Sequence, residues 1–168
     1  MNKGTHFIGQ PLYGQLINLL DKSKILAFSR NEGGERYVKH FDGWQHLVVM
    51  LYAVIKRFDS LREISFSMLP EARKLAHLGI SMMPRRSTLS DANAIKIQIW
   101  VTLIANLLLM VIQKRIKRTW SFSGMATIVR IMLMYYINSH TFLEQPEKDW
   151  DLIIQQANES PPEPSLFD

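Results

Sequence analysis

The string Pro84-Arg85-Arg86-Ser87-Thr88-Leu89-Ser90-Asp91-Ala92-Asn93 carries the side chains with the clearest chemistry in this sequence. Two arginines stand just before a helix start, and hydroxyl and amide side chains fill its first turns. A helix entering a DNA major groove end-on uses such residues: Arg85, Arg86 and the free backbone N–H groups of the first turn hold phosphates, while Ser90 and Asn93 reach base edges. The same string also makes an ordinary solvated helix cap. Catalytic chemistry has weaker support. The histidines His6, His40, His46, His77 and His140 are scattered, and His40 and His46 straddle a helix start without the spacing of paired ligands, so no metal site is expected. Two-metal phosphodiester cleavage needs several carboxylates converging from a rigid scaffold. Here Asp42, Glu63 and Asp91 sit in or beside helix caps, and Glu144 and the carboxylates after it belong to an acidic end. No catalytic residue and no cofactor is expected.

Charge supports a polyanionic partner. Residues 1–93 hold 13 Lys or Arg against 8 Asp or Glu, residues 94–145 hold 6 against 1, and residues 146–168 hold 1 against 6. A basic body therefore carries an acidic tail, and basic surfaces favour nucleic acid or anionic lipid because phosphate contacts release counterions. The absence of cysteine excludes disulfides, a thiol nucleophile and thiolate zinc sites, and fits a reducing cytoplasm. The apolar positions after Met1 are interrupted by Gly9, Pro11, Gly14 and Gln15, so no signal peptide is expected.

The elements that must position these residues are helical. At 168 residues and 47% hydrophobic composition the chain can bury a core, and its long stretches without Gly or Pro favour helix. Helix starts are marked by Asp42 with Gln45, Ser60 with Glu63, and Thr88 with Asp91, each pair spaced for a capping box. The first opens an apolar run from Trp44 to Arg57, expected to be the most buried helix. The second runs from Leu61 to about Leu69 and breaks at Pro70, and a third spans Glu71 to Leu78. Leu12 to Phe28 reads as one or two short amphipathic helices, and residues 30–36 read as an exposed turn. A long helix from Thr88 to Arg118 and a final one over Met125 to Ile137 complete an all-α reading with a helix-turn-helix-like first part.

Within the long helix, the mostly apolar stretch Ile95 to Ile112 followed by Lys114-Arg-Ile-Lys-Arg118 also has the form of a membrane helix with a basic flank. Gln98, Thr102 and Asn106 fall four apart on one helix face and argue against that reading. The Pro-rich acidic end is expected to be disordered.

Four ordered strings, His40-Phe41-Asp42-Gly43-Trp44-Gln45-His46-Leu47, Ser60-Leu61-Arg62-Glu63-Ile64, His77-Leu78-Gly79-Ile80 and Arg85 to Asn93, resemble the amino-terminal domain of DDE transposases of bacterial insertion sequences, the family named after insertion sequence four. Ala94 to Val101, Trp120-Ser-Phe-Ser and Ile137-Asn138 resemble the carboxy-terminal end of the same family. The family's ribonuclease-H-like catalytic domain, with its acidic triad, would lie between Asn93 and Ala94, which are adjacent here. The resemblance implies a DNA-binding domain over residues 1–93, a helical segment over 94–145 and a tail over 146–168. It implies recognition of terminal inverted repeats in double-stranded DNA without cleavage or strand transfer, with Arg62, Arg85, Arg86, Ser87, Thr88, Ser90 and Asn93 as candidate contacts. It further implies that helices around Ile97–Ile112 and Ile128–Ile137 have lost a packing partner, leaving faces for a homodimer or an intact transposase. A small membrane-associated helical protein and a nonfunctional relic are the alternative readings.

Overall fold

A computed structural model describes residues 10–33, 41–76, 78, 80 and 94–148. Its helices are α1 (Leu12–Ile17), α2 (Lys22–Asn31), α3 (Gly43–Lys56), α4 (Leu61–Met68), α5 (Ala72–Ala76), α6 (Ala94–Arg115), α7 (Phe122–Ile131) and α8 (Ser139–Glu144), followed by a 3-10 turn, Pro146–Lys148. The fold is all-α, with no strand among the described residues.

α3 is the centre. Its apolar side chains leave few solvent-facing positions, and Trp44, Val48, Val49, Met50, Leu51, Tyr52, Ala53 and Ile55 are all buried. Asp42 caps it by accepting from the Gln45 backbone N–H at 2.8 Å. It ends where Arg57 adopts a left-handed conformation, φ 62°, and the Phe58 N–H donates back to the Ala53 carbonyl at 3.0 Å. That geometry is a Schellman-type stop. A side chain in this region costs about 1–2 kcal/mol, partly offset by the favourable interaction of a cation with the helix C-terminus. Arg57→Gly should therefore raise stability by about 0.5 kcal/mol; a fall in the urea midpoint would show that the arginine makes a contact of greater worth.

α3 packs most extensively against α6, and also against α2 and α7, while α6 packs on α7. Buried residues from before and after the 81–93 stretch belong to one hydrophobic cluster. Described residues on either side of that stretch thus share a core.

α1 departs from the amphipathic expectation, because Leu12, Tyr13, Gly14, Leu16 and Ile17 are all buried. Pro11 precedes it and supplies no side-chain cap. The first-turn N–H groups of a helix have no partner within it. Here Leu12 and Tyr13 donate to the carbonyls of Tyr135 (2.9 Å) and Leu133 (2.7 Å). The same contact explains a second correction: the last long helix runs over Phe122–Ile131 rather than Met125 to Ile137. Ser121 caps it earlier, accepting from Gly124 N–H at 3.1 Å. Residues 132–137 leave the helix, and two of their carbonyls receive the α1 donors.

Smaller differences are local. α2 extends to Asn31, so Arg30 and Asn31 are helical rather than in a turn; Gly33, at φ 74°, follows, and residues 34–36 lie outside the described residues. α5 ends at Ala76, and the Ile80 N–H returns to the Leu75 carbonyl at 3.3 Å, which buries Leu78 and Ile80. α6 stops at Arg115 instead of Arg118, and its expected start at Thr88 lies outside the described residues. Of the tail, Pro146–Lys148 form an ordered turn, and residues 149–168 lie outside the described residues. No helix among the described residues is long and apolar enough to cross a membrane.

Candidate nucleic-acid interface

Of the candidate contacts, Arg62 is described: it is exposed on the first turn of α4. Arg85, Arg86, Ser87, Thr88, Ser90 and Asn93 lie outside the described residues. α4 presents Arg62 because the opposite face carries Ile64 and Met68 into the core. Ser60 fixes the helix start by accepting from the Glu63 N–H at 3.2 Å. The Glu63 carboxylate reaches one residue beyond a capping-box partner, to the Asp59 N–H at 2.9 Å. Glu63 is thereby engaged locally and Arg62 remains directed to solvent.

The tertiary structure gathers a second set of cations that sequence reasoning missed. Lys56 ends α3, Lys74 lies on α5 and Arg130 on α7. Lys74 pairs with Glu71 at 2.9 Å and lies 5.8 Å from the centre of the Tyr136 ring. Burial lowers the Lys56 ammonium from its ordinary value; Glu71 opposes this, while Arg130 and Lys74 add to the lowering. Lys56 therefore lies within electrostatic reach of Glu71, Arg130 and Lys74, and Lys74, paired with Glu71 and set against Tyr136, ties α5 to the turn after α7. The Glu71–Lys74 spacing of i to i+3 was readable from the sequence, whereas the arrival of Arg130 was not.

The other basic group, at the end of α6, is partly occupied. Arg118 binds Glu147 at 2.7 Å and stacks 5.0 Å from the centre of the Trp120 ring. The hydrogen bond from Arg118 holds the Glu147 carboxyl below its usual range. The Lys117 N–H donates to Glu144 at 3.2 Å, and Trp120 Nε1 donates to the Leu143 carbonyl at 2.7 Å. Arg118 is thus held against Glu147, while the side chains of Lys114, Arg115 and Lys117 at the same end of α6 are exposed. Among the described residues no three His, Asp or Glu side chains gather as metal ligands would.

No curated protein and no solved structure matches this chain. Residues 8–81, the span that holds α1 to α5 and both Arg62 and the Lys56–Lys74 part of the cation cluster, match the family model described as a domain of unknown function, DUF4372.

Proposed function

We propose that this chain is a DNA-binding relative of insertion-sequence transposases that recognises the terminal inverted repeats of such an element and does not itself cut DNA. The observation that carries the reading is the match of residues 8–81 to a domain that occurs in transposase-like proteins. The finer assignment, to the family named after insertion sequence four, rests on the strings His40 to Leu47, Ser60 to Ile64, His77 to Ile80 and Arg85 to Asn93. Exposed Arg62 adds support from geometry. In this reading Arg85 and Arg86 hold phosphates, Ser87 and Thr88 open the reading helix, and Ser90 and Asn93 meet base edges. A chain that occupies element ends without cleaving them blocks an intact transposase, so it acts as a regulator of transposition in the cytoplasm.

Binding of the full chain to short duplexes from element ends, against scrambled duplexes over a range of salt, tests this. The expected result is a sequence preference, with affinity falling as salt rises. Arg85→Ala with Arg86→Ala should weaken binding and reduce the log–log salt slope by about 2. Equal, weak binding to every duplex would leave a basic helical protein that reads no sequence. Loss of preference without change in slope would mean that these arginines do not touch phosphate.

A further inference from the structure

α6 is apolar on almost every side, and α3 and α7 cover only part of it. Val101, Ala105, Leu108, Leu109 and Ile112 face the core. On the opposite side Ile99, Trp100, Leu103, Leu107, Met110 and Val111 are exposed, Trp100 by 66% and Leu107 by 60%. The companion stretch expected to share this exposure, Ile128–Ile137, does not: Val129, Met132, Leu133, Met134 and Ile137 are buried in the chain's own core, and Ile131 alone is widely exposed. Of these two stretches, the unpartnered surface is therefore the straight stripe on α6.

We infer that this stripe is a self-association surface on which a second copy of the chain lays its own α6 in the antiparallel direction. The spacing is that of a helix seam. Trp100, Leu103, Leu107 and Met110 follow one another at three, four and three residues, the a/d rhythm of a two-helix interface. Reversing one copy about the middle of the stripe sets Trp100 opposite Met110 and Leu103 opposite Leu107. The largest side chain then meets the most adaptable one, and the two leucines meet each other. From Gln98 to Gln113 the helix carries no Asp, Glu, Lys or Arg, so pairing buries no unmatched charge.

Direction follows from side-chain size: a parallel pair would set each Trp100 against its own copy, whereas reversal sets it against the flexible Met110. Charge does not select the direction, because Lys96 and Lys114 lie four residues outside the two ends of the stripe, and either direction brings lysines opposite one another there. Area is consistent with a modest interface. Six large side chains about half exposed present on the order of 500 Å² per copy, so a pair removes about 1,000 Å² in all, the lower edge of specific association. A dissociation constant on the order of micromolar is expected.

Sedimentation of the full chain from about 1 to 100 µM, a range that brackets that constant, should show a monomer–dimer equilibrium. Leu107→Glu, at an exposed position, should keep the helical spectrum and weaken pairing by about 100-fold, because each carboxylate would be buried unpaired against Leu103 of the other copy. Because the chain has no cysteine, single introduced thiols read direction. Asn106→Cys, beside the two-fold axis, should cross-link to itself. Trp100→Cys should not, since its own copy lies about 15 Å along the axis, but it should cross-link when mixed with Met110→Cys. A monomer at every concentration overturns the inference, including the case in which deleting residues 149–168 releases dimers, since the chain's own segment would then occupy the stripe. Self-cross-linking of Trp100→Cys as readily as Asn106→Cys overturns the antiparallel arrangement, and association that Leu107→Glu leaves unchanged places the contact elsewhere.

Discussion

Leu51→Ala should lower stability by about 2–5 kcal/mol and should do so for both halves of the chain in one transition. Leu51 is fully buried on α3, the helix that packs against α2, α6 and α7. Truncation removes the transfer energy of the lost methyl groups and leaves a cavity that the surrounding helices fill only partly. For a chain of this length the melting temperature should fall by roughly 5–20 °C. Trp44 reports on the early helices and Trp120 on the late ones, and each lies on or beside an element of the common core. Variants that retain one or the other tryptophan should give coincident melting curves, both displaced by the substitution. Two separated transitions, with only Trp44 displaced, would mean that the 1–93 and 94–145 segments are independent domains after all.

Replacing Gln15 by Met should cost about 2–4 kcal/mol, nearly as much as a core truncation, although it barely changes side-chain volume. Gln15 Nε2 donates to the Ile137 carbonyl at 2.6 Å, and its Oε1 accepts from the Ser139 N–H at 2.8 Å. One amide therefore serves a donor and an acceptor on a turn more than a hundred residues away. The turn lies between α7 and the Asn138 cap of α8, which accepts from the His140 and Thr141 N–H groups at 3.0 and 3.1 Å. A thioether satisfies neither partner, and both are part-buried, so the desolvation of each is left uncompensated. Hydrogen exchange should show the Ser139 amide losing protection ahead of amides in α3. Uniform loss across the chain would instead mark Gln15 as an ordinary packing residue.

The Gln15 effect arises from a contact that links α1 to residues 133–139. Tyr13 is part of it: its hydroxyl donates to the Val48 carbonyl, its ring meets Tyr52 edge-on at 5.6 Å, and burial pushes its phenol well above the ordinary value. Gly14 lets the same helix approach α5's exit, where a Cβ would lie 3.3 Å from Leu78 Cδ2. The span matched by DUF4372 thus folds around residues that lie beyond it. The Lys74–Tyr136 contact likewise ties α5 to the turn after α7.

Local chemistry was legible in the residues themselves. Asp42 and Ser60 mark helix starts because a short side chain that accepts from an N–H three residues ahead acts within its own turn. The burial of α3 follows from an apolar run with no polar face to offer water. The exposure of Arg62 follows from the phase of Ile64 and Met68. Sequence also assigned the all-α class, since long stretches without Gly or Pro leave helix as the default.

What the sequence left open depends on distant partners. Nothing near Met132 signals a helix end; the carbonyls of Leu133 and Tyr135 leave the helix to receive donors from Leu12 and Tyr13, and that exchange exists only once the two ends of the chain meet. Lys56, Lys74 and Arg130 are unremarkable in their own helices and become a cluster only where α3, α5 and α7 converge. α6 is the clearest case. Gln98, Thr102 and Asn106 mark one side of it as outward, but the rest of the helix is apolar, so its sequence determined that most of it must be covered, and only its packing on α3 and α7 decided that the Trp100–Met110 stripe would stay exposed.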